Sequence, residues 1–231
     1  MSITKKMLSM LAFAAISLSA CSDDTTSATS DIPYGLSLKA SPMTISGKLQ
    51  SKQYQNISDS SKWNLVPWQL GAGTLIAAIE GIQSIAEASV SADGSFSLTL
   101  PGSLTYPNVI WYSNTDKSII TSRDKYVAAK AALQVFYFYP LDNPATLDTN
   151  ESQFCKAWVT PCTINKNTMS IETRYNYLMS DSLSIKGKPS MSETYYNCNY
   201  KKGWNIQSFK LSNTNMEIIT VDSLPADVVW F

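Results

Sequence analysis

The side chains of this 231-residue chain that could do covalent or metal chemistry are four cysteines, at positions 21, 155, 162 and 198, with no histidine beside them. Without imidazole the commonest general base and the commonest metal ligand are missing, and so is every Ser-His-Asp or Cys-His pairing. Thiols can still be acylated, joined as disulfides or bound to zinc. Zinc is not expected, because Cys155, Cys162 and Cys198 contain no CxxC pair. Cys155 and Cys162 flank Lys156-Ala157-Trp158-Val159-Thr160-Pro161, and a disulfide closing that loop is the expected pairing. Such a bridge would contribute about 2 to 3 kcal/mol by the chain-entropy argument and would leave Cys198 as a small buried hydrophobe. A bridge from Cys155 or Cys162 to Cys198 is the alternative. The carboxylates Asp142, Asp148, Glu151, Glu172, Asp181, Glu193, Glu217, Asp222 and Asp227 show no spacing that marks an acid and base pair. The chain is therefore not read as an enzyme, and no metal and no cofactor is expected.

Cys21 has a different context. Lys5 and Lys6 precede an apolar stretch, Met7 to Leu18, that is too short to cross a bilayer, and small residues follow it. This is the build of a secretory signal, and Leu18-Ser19-Ala20-Cys21 resembles the lipobox of bacterial lipoproteins. The resemblance implies a signal peptide over residues 1–20, cleavage before Cys21, and a diacylated Cys21 that is usually acylated on its amine as well. Each buried methylene contributes about 0.8 kcal/mol, and two or three chains make a lasting anchor where one does not. The implied location is the cell envelope, with the membrane held through the lipid. Ser22 stands where aspartate would signal inner-membrane retention, so the resemblance points to the outer membrane. An ordinary cleaved signal, with Cys21 an incidental thiol, is the alternative.

Loss of Lys5 and Lys6 takes the basic residues from 18 to 16 against 18 acidic, a net charge of −2. Clustered Lys and Arg are absent, which argues against nucleic acid as a partner. Asp93-Gly94-Ser95 is not followed by the ligand series of a calcium loop. Ser122-Arg123-Asp124-Lys125 matches the S-x-x-K string of serine penicillin-binding enzymes, but the accompanying Ser-x-Asn and Lys-Thr-Gly elements are missing.

The elements that must position any site read as strands. Residues 21–42 are rich in Ser, Thr and Asp and form a flexible linker whose typical reach is roughly 25 Å. Strands follow at 43–49, 73–80, 84–90 and 95–101, and Asp93-Gly94 supplies the positive φ angles of a tight hairpin turn. Ile45-Ser46-Gly47, Gly73-Thr74-Leu75-Ile76-Ala77 and Ala92-Asp93-Gly94-Ser95-Phe96-Ser97-Leu98 resemble the transthyretin-like or carboxypeptidase-regulatory-like β-sandwich of exported bacterial proteins. That resemblance implies a sandwich over residues 43–101 with a structural or binding role and no catalytic residue.

Residues 102–231 form a second β-rich region. Ala131 to Tyr139 is apolar on both faces, the pattern of a central strand covered on two sides; residues 125–132 before it read equally as a helical turn or as more strand. Alternation marks further strands at 169–177, 181–187, 194–200 and 201–209, the last opened by Gly203. Tyr175-Asn176-Tyr177, Ile185-Lys186-Gly187 and Lys202-Gly203-Trp204-Asn205 resemble the C-terminal half of bacterial lipoproteins, a resemblance that transfers no function. Asp227-Val228-Val229-Trp230-Phe231 reads as the last strand of the domain, since Pro225 and Asp227 break the outward apolar alternation of a membrane barrel.

Six Trp and twelve Tyr make aromatics the candidate ligand contacts, because exposed rings stack on sugars or partner proteins. Trp63, Trp68 and Trp111 lie near expected loops and are the candidates; their alternative role is ordinary packing on pleated surfaces. Trp204 is assigned to the core. The expectation is an all-β protein, a transthyretin-like sandwich plus a second β-rich region behind a signal peptide and tether. Its role is that of a non-catalytic binding or interaction module at the envelope, with a glycan or an envelope protein as partner. A structural or assembly accessory of an outer-membrane complex is the alternative.

Overall fold

Alternation with period two runs through most of the sequence after residue 36, and it is realised as strand after strand. A computed structural model describes residues 36–56, 59–79, 83–105, 107–141, 157–190, 192–212 and 215–231. These residues belong to one compact unit. The fold is all-β.

In chain order the strands of the first half are β1 (Ser37–Lys39), β2 (Met43–Lys48), β3 (Gln50–Asn56), β4 (Asp59–Pro67), β5 (Gly73–Ile79), β6 (Gln83–Val90), β7 (Ser95–Leu100), β8 (Ser103–Thr105), β9 (Val109–Ser113) and β10 (Ile119–Thr121). The second half adds β11 (Lys125–Ala129), β12 (Phe136–Pro140), β13 (Ala157–Val159), β14 (Pro161–Asn165), β15 (Ser170–Ser180), β16 (Leu183–Gly187), β17 (Thr194–Tyr200), β18 (Gly203–Leu211), β19 (Met216–Val221) and β20 (Val229–Trp230).

Two large sheets carry the fold. A six-stranded sheet has the order β13-β12-β5-β6-β7-β2, and a ten-stranded sheet has the order β10-β16-β17-β19-β18-β15-β11-β9, with β14 paired to β15 and to β20. The ribbons β3-β4 and β1-β8 stand apart as two-stranded pairs. Leu75, Leu98, Leu100, Phe136 and Phe138 of the first sheet meet Val127, Tyr177, Met179 and Trp204 of the second in one core. Each large apolar side chain fully buried there contributes roughly 1.5 to 3 kcal/mol. Trp230 sits between the sheets, 5.0 Å from the Phe96 ring and 5.5 Å from Phe136.

A second cluster lies on the other face of the ten-stranded sheet. Ile119 of β10, Ile185 of β16 and Cys198 of β17 share it with Tyr126 and Ala128 of β11, from the opposite end of the strand order. A flat sheet could not bring those strands together, so this one curls. Alternation feeds both environments from one strand: Val127 and Ala129 of β11 enter the first core, Tyr126 and Ala128 the second.

Four expectations meet a different local answer. Ser37–Lys39, assigned by composition to the linker, pairs with β8, and Leu36 and Leu38 are buried; two alternating leucines suffice where polar composition suggested none. Residues on the two sides of position 101 share the six-stranded sheet, because β12 pairs with β5. The stretch 131–139 is not one strand: Leu133 bridges Tyr177 in the ten-stranded sheet, and only from Phe136 does the chain run in the six-stranded one. Its two-faced apolar pattern belongs to a crossing between sheets. The hairpin between β6 and β7 is a four-residue turn, with the Gly94 amide donating to the Ser91 carbonyl at 2.9 Å. Gly94 is at φ +88° while Asp93 keeps an ordinary negative φ, the arrangement of a turn closed by one left-handed glycine.

Candidate functional site

The residues singled out from the sequence divide into buried and undescribed ones. Cys21 and Cys155 lie outside the described residues, as does the side chain of Trp111, whose backbone pairs with Val127 in β9. Trp63 is only 5% exposed and packs 5.2 Å from the Phe231 ring, with the Lys52 ammonium 4.4 Å above it. Trp68 is 7% exposed, meets Phe138 edge-on at 4.8 Å, and donates its indole N–H to the Gly71 carbonyl at 2.7 Å. Both indoles spend their faces on the protein itself.

The expected Cys155–Cys162 bridge is not formed: Cys162 is a free, fully buried thiol. Residues 157–159 and 161–165 run extended as β13 and β14 instead of looping back. Extended chain rises about 3.3 Å per residue, which works against the roughly 7 Å limit on the Cα separation of a disulfide. Cys162 sits opposite Arg174 on one side and Val229 on the other. Burial pushes its thiol up to about 12, although the Arg174 charge pulls the other way. Cys198 is also free and buried, and its Sγ donates to the Ile218 carbonyl at 3.3 Å. Burial raises its pKa too, so neither sulfur supplies a thiolate near neutral pH.

The Gly-Trp-Asn string has a structural task. Strands β17 and β18 follow one another in the chain but are separated in the sheet by β19, so the link at Lys201 and Lys202 must step across about 10 Å. Gly203, at φ +109°, starts the return. Asn205 then secures the link: its Oδ1 accepts from the Lys201 amide at 2.8 Å, and its Nδ2 donates to the Lys201 and Gly203 carbonyls, each at 2.8 Å. Trp204 donates to the Pro101 carbonyl at 2.8 Å and faces the first core, as expected.

A second polar tie fixes the loops beside this sheet. The Asp116 carboxylate accepts from the Ser118 hydroxyl at 2.6 Å and its amide at 2.9 Å, and from the Ser190 amide at 2.9 Å and its hydroxyl at 3.0 Å. Those bonds, the Ser118 hydroxyl first among them, hold the carboxyl well below the usual carboxylate range. Lys188, two residues before Ser190, is thereby placed at the rim of an open groove.

That groove has a volume of about 530 Å³ and is lined among others by Lys188, Glu193, Tyr195, Lys210, Met216 and Glu217. Lys188 is engaged with Glu193 at 2.7 Å. Tyr195 of β17 lies opposite Glu217 of β19, and Glu217 lies opposite Lys210 of β18. Residues opposite one another in a ladder point to the same face, so the three side chains form a row across neighbouring strands. Thr173 of β15, opposite Lys210, extends the row. Glu217 and Lys210 are exposed and Tyr195 is 38% exposed. The result is a solvated strip in which an aromatic face, an acceptor and a donor follow in order.

Sequence reasoning missed Tyr195 and also Trp158, which is 52% exposed on β13, an end strand of the six-stranded sheet. A signal for Tyr195 existed: in Thr194–Tyr200 it shares a face with Asn197 and Asn199, whereas Tyr196 and Tyr200 share theirs with Cys198. Among the described residues no group of three or more His, Cys, Asp or Glu could hold a metal ion. Compared with known proteins, the chain matches no family model, no curated protein and no solved structure.

Proposed function

We propose that the chain is a lipid-anchored envelope protein whose β-unit serves as a non-catalytic binding or interaction module. The observation that carries the binding role is the open groove of about 530 Å³ with Tyr195, Glu217 and Lys210 in a row along it. Its size falls in the range of ligand sites, and the Tyr195, Glu217 and Lys210 side chains are set by hydrogen-bonded strands. The thiols Cys162 and Cys198, buried and shifted towards the neutral form, support a role without covalent chemistry. The anchor rests on Leu18-Ser19-Ala20-Cys21 and its basic and apolar prelude. The transthyretin-like reading of residues 43–101 belongs to the same proposal and is supported by the neighbouring antiparallel order β5-β6-β7-β2.

The second reading, a structural or assembly accessory of an outer-membrane complex, is favoured by Trp158, since exposed tryptophans are over-represented among the energetic anchors of protein interfaces. One experiment addresses anchor and role together. A photo-reactive amino acid is placed at position 195 or at position 158 in the full chain, in intact cells fed an alkyne-tagged fatty acid. Fatty-acid labelling that Cys21→Ala abolishes supports the anchor. Cross-links from position 195 support the groove as the working surface, and a defined protein complex captured from position 158 alone supports the accessory reading. Labelling that survives Cys21→Ala, with cross-links from neither position, would sink the proposal.

A further inference from the structure

We infer that the row Tyr195–Glu217–Lys210 is a subsite for a neutral glycan, laid across β17, β19 and β18. The inference rests on the binding-module reading and moves the ligand contact from Trp63 and Trp68, whose rings are buried, to a tyrosine that is not.

Three features select this ligand class. The first is charge. The groove pairs two lysines, Lys188 and Lys210, with two glutamates, Glu193 and Glu217, and one pair is already joined at 2.7 Å. A phosphate chain needs a surplus of positive charge that is absent here, and an anionic sugar would face the carboxylate of Glu217 at the centre of the row. The second is the order of functional groups. Glu217 accepts hydrogen bonds and the Lys210 ammonium donates them, so a chain of hydroxyls, which can do both, is served at each position. The phenolic ring of Tyr195 offers an apolar face to the C–H side of a sugar ring while its hydroxyl stays in water. The third is spacing. The row advances one strand at a time, about 4.8 Å per step, so Tyr195 to Thr173 covers roughly 14 Å on a face held by ladder hydrogen bonds. An extended oligosaccharide lies along such a strip with one contact per step.

The test uses the full chain in detergent, with Tyr ring-labelled NMR and calorimetry as readouts and cellohexaose, chitohexaose, maltohexaose and a galacturonate hexamer as probes. At least one neutral hexasaccharide should shift the Tyr195 ring signals, and the galacturonate hexamer should bind more weakly. Tyr195→Ala should weaken binding by about tenfold, the scale of one lost aromatic contact, while Tyr195→Phe stays within about threefold. Lys210→Ala and Glu217→Ala should each lower affinity several-fold. Trp158→Ala, on the other sheet, should leave it unchanged. Unfolded variants are recognised by loss of the dispersed spectrum, and Tyr195→Phe, which keeps the ring and removes only the hydroxyl, is the conservative control. The inference is overturned if no neutral oligosaccharide moves the Tyr195 signals, if Tyr195→Ala binds as the parent does, or if Trp158→Ala carries the loss. Silence with every sugar, together with a protein cross-linked from position 195, overturns the glycan assignment and leaves the binding-module reading standing; silence in both overturns both.

Discussion

The two cores of this molecule are built from the same strands and obey different rules. In β15, Tyr175, Tyr177 and Met179 point into the core between the sheets, while Asn176 and Ser180 point to the inside of the curl, where both are buried. The core between the sheets is a packing problem: Phe96, Phe136 and Trp230 meet edge to face, and Leu75, Leu98 and Leu100 fill around them. The core inside the curl is a hydrogen-bonding problem. Tyr126 stacks on Tyr112 at 5.2 Å, the Gln207 amide donates to the Tyr200 hydroxyl at 2.8 Å, and Asn205 reaches the Ser180 hydroxyl at 3.3 Å. Shape limits the first and polar satisfaction limits the second, although one alternation supplies both.

Alkaline pH should break the comparison most completely. Burial raises the pKa of Tyr126, Tyr196, Tyr200 and Cys198, which all lie inside the curl, and neighbouring groups of that cluster raise Tyr126 and Tyr200 further. A group whose folded pKa lies above its unfolded value stabilises the fold fully below the unfolded value and loses that contribution as pH rises towards the folded one. Unfolded thiols and phenols begin to ionise near about pH 8.5 and 10, so stability should fall from there upward. Circular dichroism and phenolate absorbance followed together should change in one step, and Tyr126→Phe should move that step to higher pH. Burial raises Tyr175 and Tyr177 in the core between the sheets as well, so gradual ionisation of Tyr126, Tyr196 and Tyr200 in ring-labelled NMR, with Tyr175 and Tyr177 still neutral and the β signal intact, would show that the curl opens without the rest.

Phe136→Ala comes next. The side chain is fully buried between Trp230 and Tyr177, and its removal should cost about 3 to 5 kcal/mol in a denaturant titration. Inside the curl, Gln207→Leu should cost less, about 1 to 3 kcal/mol, chiefly because it leaves the Tyr200 hydroxyl without its donor. Adding Tyr200→Phe to Gln207→Leu should recover much of that loss, since removing both partners strands neither. No such recovery is available to Phe136→Ala. A double variant no better than Gln207→Leu alone would mean that the curl is also limited by shape.

How much of this was legible in the sequence follows the same division. Strands with one wet face declared themselves, and Phe96, Leu98 and Leu100 fall on the buried side of β7 as alternation requires. The all-β class was therefore readable. What alternation does not encode is which sheet a strand joins. Residues 131–139 look like one central strand because both of their faces are apolar, but the cause is a crossing from one sheet to the other. The site is harder to read. Trp63 and Trp68 are aromatics near expected loops, but large apolar rings are what the interior uses; Tyr195 is identified by its neighbours Asn197 and Asn199, and it becomes part of a row only when β19 is inserted beside β17. That parallel pairing uses Met216–Val221, a segment that is not among the strands expected from the sequence. The Cys162 thiol failed for a similar reason, since a segment read as a loop is strand on both sides of Thr160.

The smallest effect belongs to a surface feature that neither core controls. Asp93, in the turn between β6 and β7, accepts from the Lys48 ammonium at 2.8 Å and from the Ser95 amide at 3.1 Å and hydroxyl at 3.0 Å. The Lys48 hydrogen bond first, and then those from Ser95, hold its carboxyl down at about 2. A depressed carboxylate stabilises the fold above its ordinary value of about 3.9, and the contribution disappears as pH falls through the folded value. Both partners of the ion pair are more than half exposed, so solvent screens it and the effect on stability should be slight. Asp93→Asn should therefore barely move the denaturation midpoint at neutral pH, and the difference from the parent should close as the pH approaches about 2. An NMR titration of the Asp93 carboxyl decides whether the turn is formed as described. A midpoint near the ordinary carboxylate value would mean that Lys48 and Ser95 do not hold it, and that the register of β2 on β7, which places Lys48 opposite Ser95, is set by Ile45, Phe96 and Leu98 facing the core alone.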